Sequence, residues 1–293
     1  MNLKLNPDAL VSKLLVADYA ALDFVMPGLP LGLVGSWVGQ GGCGKSYLAL
    51  EAALSIAMGR KFGRDTPKRG KVFYFATEDP LNQLGQRVQN ILSRWGVASG
   101  SPELAFLDAN FHLFPLLGEK TDIMEEDDGP VILDQIEALI AGFGDGGDPL
   151  RLLVLDTLRR FHTLDENSNG EMARVLGVME RIAVQFKCSV LFIHHVTKNA
   201  AANGQAAAQQ AARGASVLVD NIRYQANVVN MSEEESAIWS CDGKAKIKDG
   251  RKFFVKFAVP KNNYGSPLDD QWFKRDAKTG VLDPVTLVKV EKK

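Results

Sequence analysis

The chain has 293 residues, of which 46% are hydrophobic and 24% are charged, as expected of a globular protein with one large core or two small ones. Its formal net charge of -1 excludes a general attraction to nucleic acid or membranes, so a polyanion site needs a local concentration of Lys and Arg. Cys43, Cys188 and Cys241 lack the spacing of a disulfide framework or a zinc site. Charged residues interrupt the apolar runs near the start, and we expect a cytoplasmic protein without a signal peptide or membrane span.

Short apolar runs alternate with longer segments of helical periodicity over the first two thirds of the chain. This alternation is typical of a parallel sheet whose buried strands are joined by covering helices. The apolar runs predict strands at residues 31–37, 71–77, 104–114, 151–157 and 188–194. The periodic segments predict helices at residues 45–58, 80–95, 131–142 and 170–186.

The pattern changes after about residue 214. In RKFFVKFAV (251–259) and QWFKRDAKTGVL (271–282), apolar and charged residues alternate around a turn-like AKTG. We therefore predict an α/β fold with a mainly parallel sheet and a C-terminal antiparallel extension. No internal repeat and no linker rich in Pro, Gly or Ser divides the sequence, so we predict one domain, residues 31–293, after an N-terminal arm, residues 1–30.

The sequence GQGGCGKS (39–46) lies between a predicted strand and a predicted helix and matches the P-loop pattern G-x-x-x-x-G-K-[ST]. Glycines let backbone N–H groups approach phosphates, and the helix N-terminus adds a favourable dipole. In this pattern Lys45 reaches the β- and γ-phosphates, and Ser46 offers a hydroxyl to Mg²⁺. The alternative is a glycine-rich turn that caps an ordinary helix. We predict binding of ATP and Mg²⁺, with the binding segment formed by Gly39, Gly41, Gly42, Cys43, Gly44, Lys45, Ser46 and Tyr47.

Acidic residues follow two of the predicted strands. Asp156 ends the apolar run RLLVLD and is the best candidate for the carboxylate on the metal side of a P-loop, although such an aspartate can simply end a strand and cap a turn. Glu78 follows KVFYFAT and is our candidate general base for a water that faces the γ-phosphate. Asp79 and Pro80 have a structural alternative, in which Asp79 is the N-cap and Pro80 the first residue of the next helix.

Two adjacent histidines, His194 and His195, end the strand in FIHHVTK. Metal binding by the pair is unfavourable, because adjacent side chains on a strand point to opposite faces and no third ligand follows at useful spacing. We predict that one of them faces the γ-phosphate and senses its cleavage. The alternative is a structural histidine with its hydrogen bonds satisfied.

These elements, with VLDTLRRFH (154–162), ARGASVLVDNIRYQ (212–225) and KNNYGSPLDDQWFKRD (261–276), closely resemble the RepA-type hexameric replicative helicases of broad-host-range plasmids. The resemblance covers most of the chain. It implies a RecA-like core, a homo-hexameric ring, and ATP-driven movement in the 5′ to 3′ direction on single-stranded DNA.

The resemblance also implies roles for individual residues. Lys45 and Ser46 would hold the nucleotide and Mg²⁺, Glu78 would activate water, Asp156 would support the metal, and His195 would sense the γ-phosphate. The P-loop itself is shared by many ATPases. The segments TLRRFH and RGASVLVDNIR are the specific part of the resemblance.

By the same resemblance, Arg223 matches the position of an arginine finger that acts on the ATP of the neighbouring subunit. Arg213 and Lys261 are the other candidates for this role. The chain departs from the family pattern in the acidic insert at 118–130, in the loop after the histidine strand and in the first thirty residues.

The segment at 197–213 is long and rich in small residues, which suits a flexible surface linker. In a ring-shaped motor the same segment would face the central channel and track the DNA backbone, with Lys198 as its clearest phosphate contact. Arg159 and Arg160 could supply another DNA contact or could form salt bridges instead. Six copies around one pore would concentrate positive charge although the net charge is near zero.

The sequence therefore predicts an ATP-dependent hexameric DNA helicase that moves on single-stranded DNA, in plasmid or mobile-element replication. A RecA-like regulatory or recombination ATPase would share the nucleotide residues but lack strand separation. A small-molecule P-loop kinase is disfavoured, because Glu78 is suited to water activation whereas a kinase keeps water away from the γ-phosphate.

Overall fold

The computed structural model describes residues 6–124, 131–142, 148–195 and 216–290. Within these residues the strands are β1 Phe24–Met26, β2 Leu29–Pro30, β3 Val34–Gly39, β4 Lys71–Ala76, β5 Phe111–Pro115, β6 Leu150–Asp156, β7 Ser189–His195, β8 Tyr224–Asn230, β9 Trp239–Ser240, β10 Phe254–Asn262, β11 Gln271–Arg275, β12 Leu282–Val285 and β13 Val288–Lys289. The helices are α1 Val11–Leu14, α2 Lys45–Met58, α3 Leu81–Trp95, α4 Pro102–Asn110, α5 Val131–Gly142, α6 Asn169–Gln185, α7 Val217–Asp220 and α8 Glu233–Ile238.

A nine-stranded sheet organises the chain, with the strand order β12-β11-β10-β8-β3-β7-β6-β4-β5. The six strands from β8 to β5 are parallel. Strand β6 is buried at every position, as expected where helices cover both faces of a parallel sheet. One core lies between the sheet and α2, α3 and α4, and a second lies on the other face with α6. The predicted α/β class with a mainly parallel sheet is confirmed.

The antiparallel extension predicted for the C-terminal part is also present. Strand β10 pairs antiparallel with β8 and β11, and β11 pairs antiparallel with β12. The turn predicted at AKTG connects β11 to β12. As a result, this turn lies close to the helix that follows the P-loop, where Tyr47 donates a hydrogen bond to the Thr279 carbonyl over 3.0 Å.

Most predicted elements agree with the structure within a few residues, but the strand predicted at 104–114 is wrong over its first part. Residues Pro102–Asn110 form α4, and the strand begins only at Phe111. Pro102 occupies the first helical turn and Glu103 follows it, which favours a helix start. Strand β8 was not predicted. It carries buried Gln225 and Asn227, which bond to each other over 2.8 Å, so it lacks a continuous apolar run.

The N-terminal region has two parts. Residues 6–22 are almost entirely exposed, including large apolar side chains such as Leu15 and Tyr19. The hairpin of β1 and β2 instead packs on the first core through Val25 and Leu29. The arm boundary at residue 30 stays a prediction. None of the described helices is long and apolar enough to cross a membrane.

A buried glutamate connects α2 to the C-terminal extension. Glu51 is 4% exposed, and its Oε1 accepts a hydrogen bond from the Leu282 N–H over 2.8 Å. Burial raises the pKa of the Glu51 carboxyl to about 8. The protonated form therefore predominates in the folded protein at neutral pH.

This proton makes the stability of the fold depend on pH. The folded protein holds it up to about pH 8, whereas the unfolded carboxyl loses it near its ordinary pKa of 4.5. Between these values the free energy of unfolding falls as pH rises, by at most about 1.4 kcal/mol per pH unit. Glu51→Gln keeps an acceptor for Leu282 without an ionisable group. We expect its thermal midpoint to exceed that of the wild type near pH 8 and to approach it near pH 5.

The matched control is Glu180→Gln, because Glu180 is an exposed glutamate on α6. Thermal unfolding followed by circular dichroism across this pH range gives the comparison. A constant difference between Glu51→Gln and the wild type at all pH values would contradict a protonated Glu51 in the folded state.

Candidate nucleotide-binding site

The P-loop connects β3 to α2, and its glycines occupy positions where a side chain would not fit. Gly44 is the N-cap of α2 with a φ of 101° in the left-handed region. A Cβ atom at Gly39 would lie 2.2 Å from the Val228 carbonyl oxygen of the neighbouring strand. The loop thus packs closely against β8 and leaves the N-terminal N–H groups of α2 at its open side, the arrangement that binds phosphate.

The P-loop lysine lies across its own loop. The Lys45 Nζ donates hydrogen bonds to the carbonyl oxygens of Gly39 and Gln40, over 2.8 and 2.7 Å. Burial lowers the pKa of Lys45, and the nearby Cys43, Asp156 and Glu78 oppose that shift. A phosphate in this loop would offer the ammonium an anionic partner, which compensates for burial better than neutral carbonyls do.

Asp156 is the centre of the site. Its Oδ1 accepts a hydrogen bond from the Ser46 hydroxyl over 3.0 Å, and its Oδ2 accepts one from the Tyr74 hydroxyl over 2.7 Å. Burial raises the pKa of the Asp156 carboxyl to about 6, although these two hydrogen bonds lower it. The carboxylate thus contacts the P-loop serine directly, and β4, β6 and α2 meet at one group.

The adjacent acids Glu78 and Asp79 have different partners. Glu78 Oε1 accepts a hydrogen bond from the Thr157 hydroxyl over 2.8 Å, next to Asp156 in the chain. Asp79 pairs instead with Arg87 over 2.6 Å. The structural alternative, in which Asp79 caps α3, does not hold, because Pro80 occupies the N-cap position and no side chain caps the helix.

A cleft of about 360 Å³ opens above the P-loop. It is lined by the predicted loop residues Gly41, Gly42, Gly44, Lys45, Ser46 and Tyr47, and by the predicted Glu78 and His195. His195 lies beside Gly39 in the pairing of β7 with β3, whereas His194 is buried. The structure therefore brings the P-loop, the candidate base and one histidine to the same cleft.

Cys43, predicted as part of the binding segment, directs its side chain away from the cleft. The buried Cys43 Sγ donates to the Val228 carbonyl over 3.2 Å. Its backbone nevertheless belongs to the loop. Gly39 likewise does not line the cleft, and its role is to permit the close packing of β3 against β8.

Of the predicted DNA and interface residues, Arg159, Arg160 and Arg223 lie outside the cleft. Arg159 donates to the His162 carbonyl over 3.2 Å and lies 4.0 Å from Glu166, while Arg160 is exposed. Arg223 is exposed immediately before β8. Lys198 and Arg213 lie outside the described residues.

Several contributors were missed from the sequence, among them Thr157, Arg87, Arg275 and Tyr74. Arg275 lines the cleft from the end of β11 and donates to the Cys43 carbonyl over 2.7 Å and to the Gly42 carbonyl over 3.5 Å. It lies far from the P-loop in the sequence, and although it falls within the quoted segment 261–276, no role was predicted for it. Tyr74 had a usable signal, because a tyrosine in a fully buried strand needs a partner for its hydroxyl.

The residues of the cleft fit a magnesium-bound nucleotide. In the part of the chain that the structure describes, no three His, Cys, Asp or Glu side chains form a metal site by themselves. The Ser46 hydroxyl and Asp156 carboxylate are hard oxygen donors on the phosphate side, which matches the way Mg²⁺ is shared between one or two protein groups and substrate phosphates. When bound, Mg²⁺ neutralises charge that develops on the phosphates.

The fold and the site together define a P-loop ATPase with a RecA-like core. A family model described as an AAA domain matches residues 4–201, and the chain belongs to this family. Among solved structures, the ATPase domain of the protein G-40-P is similar, with a TM-score of 0.56 and 10% sequence identity over 87% of this chain and 85% of that chain. At this identity the similarity shows a shared fold.

Substitutions at Lys45 and Glu78 should separate nucleotide binding from turnover. Lys45→Ala removes the phosphate-binding cation, so we expect ATP affinity and turnover to fall together. Glu78→Gln removes the candidate base but keeps the acceptor for Thr157, so binding should persist while turnover falls by roughly 10²- to 10⁴-fold. Equilibrium ATP binding and phosphate release measure the two effects.

Glu119→Gln, a change at an exposed glutamate outside the cleft, is the control for Glu78→Gln. Turnover by Glu78→Gln near that of the control would remove Glu78 from the catalytic role.

Arg275 can be tested against its neighbour. Arg275→Ala frees the P-loop carbonyls from their hydrogen bonds and removes a cation from the cleft, so we expect the Kd for ATP to rise about tenfold. The matched control is Lys274→Ala, because adjacent residues on a strand face opposite sides of the sheet. Similar ATP affinities of the two variants, measured by calorimetry, would show that Arg275 does not support the nucleotide.

Proposed function

We propose that the protein is an ATP-dependent hexameric DNA helicase that translocates on single-stranded DNA, with ATP and Mg²⁺ bound in the cleft. We further propose that it is cytoplasmic and acts in plasmid or mobile-element replication, as the sequence resemblance implies. The observation that carries the proposal is the position of Arg223 relative to its own cleft.

Arg223 lies at the opposite edge of the sheet from its own P-loop. Strand β8 pairs in parallel with β3, so that Tyr224 lies beside Gly35 and Val228 beside Gly39. Arg223 precedes Val228 by five residues. At about 3.3 Å per residue, it lies roughly 16 Å along the strand direction from Gly39, the first residue of its own P-loop. An exposed arginine in this place is better suited to the cleft of a second subunit than to its own.

The arginines that line the cleft have partners within the chain. Arg87 pairs with Asp79, and Arg275 donates to P-loop carbonyls. Charge that develops on the transferred phosphoryl group would therefore be met by an arginine from outside, as in enzymes that receive an arginine finger in trans. A ring of identical subunits supplies such an arginine to every cleft.

Lys261 is a weaker candidate for this role. Its Nζ donates to the carbonyl oxygens of Val219 and Asp220, over 2.6 and 2.9 Å. The Lys261 ammonium is therefore bound within its own chain. Burial also lowers the pKa of Lys261. Arg223 has the freer side chain and remains our choice, with Arg213 as the alternative outside the described residues.

The proposed DNA contacts follow from the parallel sheet. Strands β6 and β7 end at the same edge as the P-loop, so both strands end close to the nucleotide site. We propose that Arg159 and Arg160 in the segment after β6 and Lys198 in the segment after β7 face a central channel. Coupling between DNA and turnover would then pass through Asp156 and His195, which precede these segments directly.

A mixture of two inactive variants tests the arginine in trans. Arg223→Ala should bind ATP normally but lose on the order of 10³-fold in turnover. An Arg223→Ala subunit retains Lys45, Glu78 and Asp156, and a Glu78→Gln neighbour can lend it an intact Arg223. Mixed rings should therefore contain some complete sites, and we expect subunit exchange to restore a measurable fraction of ATP turnover.

A labelled subunit confirms that exchange occurs, and Arg181→Ala, at an exposed arginine of α6, is the control for loss of an arginine. If exchange is complete and turnover stays at the level of either variant alone, Arg223 does not act in trans.

Strand separation distinguishes a helicase from a RecA-like regulatory or recombination ATPase with the same nucleotide residues. We expect the wild type to unwind a forked DNA substrate in the presence of Mg²⁺ and ATP, and to have the native mass of six subunits. Glu78→Gln should bind the fork without unwinding it. DNA-stimulated turnover by the wild type without any strand separation would favour the regulatory alternative.

A further inference from the structure

Residues 231–253 and β13 form a small unit at the end of the sheet. Strand β9 pairs antiparallel with β13, and the unit packs on an apolar cluster that joins its Met231 to Phe254 of β10 and Trp272 of β11. This cluster is separate from the two cores on either side of the main sheet. The unit therefore adds a surface that the nucleotide cleft does not require.

Five exposed lysines cover this unit, and we call them the basic patch: Lys244, Lys246, Lys248, Lys252 and Lys289. Residues 244–252 also include Arg251 and a single acid, Asp249, within a chain whose net charge is -1. Among the described residues, no ion pair within 4.0 Å joins a lysine of the patch to a carboxylate. By contrast, the exposed Lys68 has such a partner in Asp23.

Two acids on α8, in the same unit, have partners of their own. Glu235 pairs with Lys256 and completes the capping box of α8. Glu234 accepts a hydrogen bond from the Ser232 hydroxyl over 2.7 Å, which lowers its pKa. Within residues 244–252 five cations face one acid, so this segment is locally positive although Asp242 and the α8 glutamates lie in the same unit.

The backbone beneath the patch is held in place. Asp242 Oδ1 accepts hydrogen bonds from the N–H groups of Lys244 and Ala245 and from the Ser240 hydroxyl, over 2.8, 3.0 and 2.8 Å. These backbone bonds lower the Asp242 pKa to about 2. Ile247 packs into the apolar cluster of the unit. Binding of a partner would therefore need little further ordering of this segment, and the entropic cost of that ordering would be small.

The patch lies on the same edge of the sheet as the P-loop. Val228 pairs with Gly39, so β8 ends at the P-loop edge, and the unit begins directly after β8. Strands β7 and β6 end at this edge on the other side of β3. A long polyanion that follows this edge can reach the patch as well as the ends of β6 and β7.

Aromatic rings lie among the lysines. The Lys289 Nζ lies 5.9 Å from the centre of the Trp239 ring, and the Lys252 Nζ lies 5.3 Å from that of Phe253. Both rings pack against the apolar cluster and expose only part of their surface. Proteins that bind single strands without sequence preference combine cations for the phosphates with aromatic rings for the bases. The patch places lysines beside partly exposed rings.

We infer that the basic patch is a binding surface for single-stranded nucleic acid, separate from the proposed channel and independent of ATP. Its lysines contact backbone phosphates. The surface would hold a strand close to the ring without taking part in hydrolysis.

The test uses the full-length protein without nucleotide and a fluorescent oligothymidylate at several salt concentrations. The patch variant combines Lys244→Gln, Lys246→Gln and Lys252→Gln. It spares Lys248, whose φ of 44° makes a substitution there harder to interpret. The control variant combines Lys13→Gln, Lys61→Gln and Lys68→Gln, three exposed lysines far from the unit in the sequence, with the same change in net charge.

We expect the patch variant to bind the oligonucleotide at least about tenfold more weakly at low salt, with a salt slope smaller by about 2 because three phosphate contacts are lost. The control variant should match the wild type. ATP turnover without DNA should be unchanged in both variants, which separates this result from the proposed helicase function.

Equal binding and equal slopes for the patch and control variants would overturn the inference, even if the protein unwinds DNA. The same conclusion follows if the wild type binds no oligonucleotide, or if the patch variant loses only its binding to vesicles of anionic lipid. Unchanged thermal midpoints ensure that a loss of binding reflects the surface and not the fold.

Discussion

The site depends on the buried carboxylate of Asp156. Isolated burial of this group would be costly, and the hydroxyls of Ser46 and Tyr74 compensate for part of that cost. In return the carboxylate fixes the first turn of α2 against β6 and β4. The orientation of the P-loop serine, and with it the place for a metal ion, is thus set by one residue at the end of a central strand.

The parallel sheet distributes the other functional residues around this point. Strands β3, β4, β6 and β7 end at one edge, so Glu78, Thr157 and His195 reach the same cleft although they are distant in the sequence. The start of β8 lies at the other edge, which leaves Arg223 exposed and remote from its own P-loop. One topology therefore accounts for a nearly complete site and for the proposed need of a neighbouring subunit.

Local patterns in the sequence were sufficient for much of the fold and site. The helix at 45–58 and the P-loop were predicted because apolar periodicity and the glycine spacing are local. Arg275 was missed because its contact with the P-loop depends on the pairing of β11 with β10, which a single sequence does not encode locally. The helix Pro102–Asn110 was misread as a strand because its apolar residues have no clear helical periodicity.

The most direct test of the central claim is the gain in ATP affinity that Mg²⁺ provides, measured by calorimetry with and without the metal for the wild type and Asp156→Asn. Asparagine keeps an acceptor for Ser46 but removes the negative charge. The account predicts that Asp156→Asn binds metal-free ATP about as well as the wild type and loses most of the gain from Mg²⁺. An equal gain in both proteins would contradict the assignment of Asp156 to the metal side of the site.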